Sequence, residues 1–176
     1  MEDRIEHLFQ EWHRLGGAVM ISRADPTLVP RAVEEVVAES TAYCRASARL
    51  TWVVLDWLIR HVDEIDEERL LAGAAAIGDR SVLGVLCDAA LRRKRHAKFG
   101  RLMRECSPHQ ELTPFFHRVA RSPLASRLTQ ENALDLFRRW NFLCAELRYL
   151  GDAPGEAVVE ATSADGQGAR APVPDP

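Results

Sequence analysis

An all-α fold is predicted by three features of this 176-residue chain. Apolar residues recur at helical spacing along most of it, the one run suited to a strand has no second run to pair with, and Pro-containing dipeptides fall at the ends of the periodic segments. The expectation is a compact single-domain bundle of about seven or eight helices over residues 1–150, followed by a disordered acidic tail rich in Gly, Ala and Pro over 151–176. Its short antiparallel helices would stack in the manner of HEAT-like pairs, without a repeat of fixed length.

The organising stretch is Arg49 to Val62, which carries Trp52 and Trp57. On a helical wheel its apolar side chains cover about two thirds of the circumference, and Asp56, Arg60 and Asp63 share one narrow polar strip. A helix of that kind has to be wrapped by its neighbours.

Residues 2–15 read as an amphipathic helix with Ile5, Leu8, Phe9, Trp12 and Leu15 on one face, ended by Gly16-Gly17. Ala18 to Ser22 is expected to be an extended loop, because a strand without a partner leaves its backbone groups unsatisfied. Asp25-Pro26 and Pro30 announce a second helix lined by Val29, Val33, Val36, Val37, Ser40, Tyr43 and Cys44. Ser47 is a candidate N-cap, which places a turn near 46–48 before the central helix. The acidic corner Asp63 to Glu68 favours the N-terminus of a helix over 67–77, and Gly78-Asp79 separates this from another opened by Ser81. Phe99, Leu102, Met103 and Cys106 mark a further helix, broken by Ser107-Pro108. Thr113-Pro114 is expected to cap a short helix with Phe115, Phe116, Val119 and Ala120, stopped by Ser122-Pro123. The last helix is expected to start at Thr129 and run continuously to Leu150, on a stripe of Ala133, Leu136, Phe137, Trp140, Leu143, Cys144 and Leu147, with an Asp135–Arg139 pair on its surface and Gly151 as its stop.

Composition points to a globular protein, at 47% hydrophobic and 28% charged residues. No apolar run approaches the roughly 18 residues that a spanning helix needs, and the acidic start is unlike a signal peptide, so no membrane association and a cytoplasmic location are expected. Cys44, Cys87, Cys106 and Cys144 lack a Cys-x-x-Cys pair and read as small core thiols rather than disulfides or metal ligands. The six histidines show no His-Glu-x-x-His spacing, so neither a metal nor another cofactor is expected. No Gly-x-Ser-x-Gly, Gly-x-x-x-x-Gly-Lys or Gly-x-Gly-x-x-Gly occurs either, and no catalytic residue is nominated.

Charge is distributed unevenly. Residues 1–79 hold eight basic against fifteen acidic side chains, residues 80–150 hold fourteen against six, and residues 151–176 hold one against five. The densest feature is the run from Arg92 to Arg104, with Arg92, Arg93, Lys94, Arg95, Lys98, Arg101 and Arg104 as candidate anion contacts. The opposing reading is a solvated turn that complements the acidic half of the same chain. Arg138, Arg139 and Trp140 form a second candidate partner surface, since Trp and Arg are enriched at interface hot spots. Leu70 to Leu86 has the glycine turn of a helix-turn-helix, yet Ser81 to Leu91 offers almost no side chain that reads a base edge, which favours an ordinary helical hairpin. Asp56, Arg60 and His61 are the candidates for a pocket beside the central helix, although Asp56 and Arg60 also fit a simple i, i+4 salt bridge.

Together these features predict a non-catalytic protein–protein interaction or regulatory module of a bacterial-type cytosol, antitoxin-like or an adaptor, that covers a macromolecular partner with its acidic N-terminal half. A nucleic-acid-binding regulator using 92–104, and a small-molecule binder or enzyme with its pocket near Asp56, Arg60 and His61, are the alternatives.

Overall fold

In the computed structural model, which describes residues 1–117, 122–146 and 149, the central stretch is α3 (Ala48–His61). Its Ser47 cap takes a hydrogen bond from the Leu50 N–H, so the expected turn at 46–48 separates α3 from α2 (Val33–Cys44). α1 (Glu2–Arg14) precedes them and ends at Gly16, whose φ of 73° suits a residue without a side chain. The segment 18–22 is loop, as its isolation predicts. α4 (Glu67–Ala76), α5 (Arg80–Arg93) and α6 (Ala97–Glu105) follow, with a 3₁₀ turn over Val62–Glu64 leading into α4. Asp66 caps α4, Asp79 caps α5 and His96 caps α6, each accepting a backbone N–H of the first turn.

α3 packs against α2 and α5, while α4 lies on α2 and α6 on α5. Leu50, Val53, Val54, Leu55, Trp57 and Leu58 are all buried, and every residue from Ser81 to Ala90 of α5 is buried too. The wrapping is therefore near complete around Trp57, whose indole N–H donates to the Leu15 carbonyl at 2.9 Å and whose ring lies 5.7 Å from that of Trp12. Trp52, half-buried, sits under the Arg93 guanidinium at 4.9 Å.

Two expectations fail in the C-terminal third. Thr113-Pro114 starts no helix: it forms β1 (Thr113–Pro114), paired in parallel with β2 (Phe142–Leu143). Val119 and Ala120 of that expected helix lie outside the described residues. The long final helix is also broken. Ser122-Pro123, expected as a stop, instead caps and opens α7 (Pro123–Glu131), where Thr129 is internal, and α8 (Asp135–Arg138) is only four residues long. Asn141 then takes a left-handed φ of 58° and turns the chain into β2.

The reason lies in competing hydrogen bonds. Asn132 Nδ2 donates to the Leu128 carbonyl, Asn141 Nδ2 donates to the His109 carbonyl at 2.6 Å, and Leu134 N–H takes the Cys144 carbonyl rather than a helical one. The apolar stripe is real, since Ala133, Leu136, Phe137, Trp140 and Cys144 are buried, but three short segments bury it rather than one helix. Leu147, Leu150 and the tail lie outside the described residues.

Candidate functional site

The basic run begins with the last two residues of α5, Arg92 and Arg93, and continues into α6, and most of its cations meet groups of the same chain. Asp63 is approached by His96 Nε2 at 2.9 Å and Lys94 Nζ at 3.8 Å. Lys98 Nζ donates to the Asp63 and Ile65 carbonyls, and Arg101 forks onto Glu67 at 2.6 Å, a hydrogen bond that holds the Glu67 carboxyl below its ordinary range. The acidic corner before α4 is thus engaged by the chain's own cations. Arg92 reaches Asp88 at 3.5 Å.

Arg95 and Arg104 are the exposed members of the run that form no ion pair with the described residues. Together with Arg101 they rim a shallow groove of about 700 Å³ whose floor includes Leu91, Ala97 and Gly100. A side chain at Gly100 would meet only Arg104 Nη1, at 3.9 Å. The other glycines placed in or beside helices are there for space or backbone: Gly73 and Gly78 face α2, Gly84 faces Trp140, Gly17 faces Trp12, and Gly16 has positive φ.

The second candidate surface is mostly structural. Trp140, expected at a partner face, is buried at 5% exposure, and its indole N–H donates to Asp88 at 3.2 Å. Arg139 pairs with Asp88 at 3.0 Å rather than with Asp135, because Trp140 docking turns it toward α5. Arg138 is held by the Ala133 and Gln130 carbonyls.

Asp56, Arg60 and His61 do not converge on a hollow. Asp56 and Arg60 form the i, i+4 bridge at 2.7 Å on the surface of α3, with Arg60 also near the Gly16 carbonyl. His61 stacks on Trp57 at 4.7 Å and meets Glu64 at 2.8 Å, which accounts for its place beside the apolar face. The hairpin of α4 and α5 is no base reader, since its second helix is buried along most of its length.

Sequence reasoning missed two constellations. The first is a buried network between α1 and α2: Arg31 forks onto Glu11 and also reaches Glu39 at 2.8 Å, and Arg4 forks onto the other side of Glu39. The signal was present as Glu11 beside Trp12 and Glu39 beside Ala38, carboxylates set into apolar faces. The second is a cavity of about 470 Å³ between the α2–α3 turn and β2, with Arg45, Phe116, Thr129 and Leu143 on its lining. Burial, together with the nearby Arg45 charge, holds the adjacent His117 imidazole below its ordinary pKa. Nothing in the sequence marked it, because its lining joins residues 45–48 to segments about seventy residues or more further on.

Among the described residues no group of three His, Cys, Asp or Glu side chains is placed to hold a metal, and no helix is long and apolar enough to cross a membrane. No family model, no curated protein and no solved structure matches this chain.

Proposed function

We propose that this chain is a non-catalytic binding module, an adaptor or antitoxin-like cover, that docks an acidic protein surface against the α5–α6 edge. One observation carries the reading: Arg95 and Arg104 have no ion pair among the described residues and line a groove, while their neighbours in the run are committed within the chain. Arginine forks suit carboxylates, and an exposed pair costs little to hold ready in water. The polarity of the expected contact is thereby reversed, since the acidic half now serves to position the basic run rather than to meet a basic partner. A floor that includes Leu91 and Ala97 beside the cations suits a protein surface, with its mixed apolar and charged groups, better than bare phosphates.

Capture from cell extract with the tagged full chain, beside an Arg95→Glu/Arg104→Glu variant, tests it. The expected result is a stoichiometric acidic protein that survives nuclease treatment and falls about tenfold or more in the variant. Recovery of nucleic acid alone, with a salt dependence whose slope drops by about two in the variant, transfers the site to the regulator reading. Equal recovery by both proteins removes the α5–α6 edge from consideration.

A further inference from the structure

We infer that the cavity between the α2–α3 turn and β2 is a binding site for a small carboxylate with an apolar body, whose carboxylate meets the Arg45 guanidinium. This goes beyond the macromolecular contact proposed above and uses different residues. Arg45 follows α2 directly, half-buried, with its guanidinium 5.0 Å from the centre of the Phe142 ring. Its Nε donates to the Phe115 carbonyl and its Nη2 to the Pro114 carbonyl, both at 3.1 Å, and no carboxylate lies at ion-pair distance from it among the described residues.

Arg4 and Arg31, by contrast, face Glu39 and Glu11, and Arg92 and Arg139 share Asp88. A cation drawn out of water and met only by neutral carbonyls is disfavoured, and burial accordingly lowers the Arg45 pKa, with the Asp79 charge offsetting this only in part. An anion in the cavity supplies the missing charge.

The size and lining give the rest of the ligand. A volume of about 470 Å³ lies within the range of small-molecule sites, and Ala46, Ala48, Phe116 and Leu143 provide an apolar wall. The Thr129 hydroxyl adds one more polar group to the lining.

The test is an NMR titration of the full chain with 3-phenylpropionate and with its neutral amide, 3-phenylpropionamide. Saturable shifts of the Ala46, Ala48, Thr129 and Leu143 amides with the carboxylate, at least about tenfold weaker with the amide, support the site. Arg45→Met is expected to weaken the carboxylate by about tenfold or more. Because Arg45 also pins residues 114 and 115, Ala46→Leu serves as a second variant that fills the cavity and leaves the guanidinium in place, and it too is expected to abolish the shifts. Equal response to acid and amide, or no saturation up to about 10 mM, overturns the assignment. Retention of the shifts in a folded Ala46→Leu variant does so as well. The charge-reversed Arg95→Glu/Arg104→Glu chain binds the probe unchanged, so this site and the α5–α6 surface stand or fall separately.

Discussion

Trp140 seats against Gly84: a Cβ on residue 84 would fall 2.6 Å from Trp140 Cε3, well inside contact distance, so the helix α5 accepts the indole only because that position has no side chain. The indole N–H then reaches Asp88, one turn further along α5, so this ring ties α8's end to α5 beside the Arg139–Asp88 pair.

Gly84→Ala and Gly100→Ala are therefore expected to change stability in opposite directions. Both replace a helical glycine, and propensity alone favours alanine by about 0.5–1 kcal/mol. At 100 the new methyl meets only the far end of Arg104, so stability rises by roughly that amount. At 84 it collides with the indole, and overpacking of about 1–3 kcal/mol outweighs the propensity gain. Urea denaturation of the two variants decides it, and a stabilised Gly84→Ala protein removes the Trp140 seat.

Acid is expected to loosen the contact between α1 and α2. Burial alone would raise the Glu39 carboxyl, but hydrogen bonds from Arg4 and Arg31 outweigh it and leave the folded pKa below the ordinary 4.5. A depressed carboxyl pKa contributes stability that is fully present above the unfolded value and is lost as pH falls through the folded one. Stability should thus decline below about pH 4.5, and Glu39→Gln should be less stable than the parent at pH 7 with the gap closing in acid. Denaturation midpoints between pH 7 and 3 measure this; a constant gap contradicts the network.

The thiols should resist modification until the fold opens. Burial pushes Cys44 and Cys106 up to about 12 and Cys87 well above its usual value. At pH 8 the thiolate fraction of such groups is about one in ten thousand, far below that of a free cysteine. Labelling with a disulfide reagent should be slow in native buffer and complete within seconds to minutes in denaturant, and rapid native labelling of Cys44 or Cys87 would show that α2 or α5 is not enclosed.

How much could be read beforehand differs between the two parts of the chain. From residue 2 to residue 105 the helices follow from local information: an apolar face at the right period, a capping side chain at the starts of α3 to α6 (Ser47, Asp66, Asp79, His96) and a glycine turn after α1. Propensity, period and capping agree there, and the fold needs nothing else to choose. In the stretch from 113 to 146 they disagree. Asn132 and Asn141 offer the backbone rival hydrogen bonds, Trp140 is drawn to Gly84, and β1 needs β2 about thirty residues away before either is a strand.

What the sequence determined by itself was the helical class, the burial of the Trp57 helix and the division of charge, because these depend on side-chain type and on neighbours three or four residues apart. Which charges would be left over, and where a cavity would open, only the tertiary structure decided. Asp63 claims His96 and Lys94, and Glu67 claims Arg101, across more than thirty residues. Arg45 is left facing Phe115 and Pro114, about seventy residues on. An ion pair forms or fails over a few ångströms, and separation along the chain carries no information at that scale.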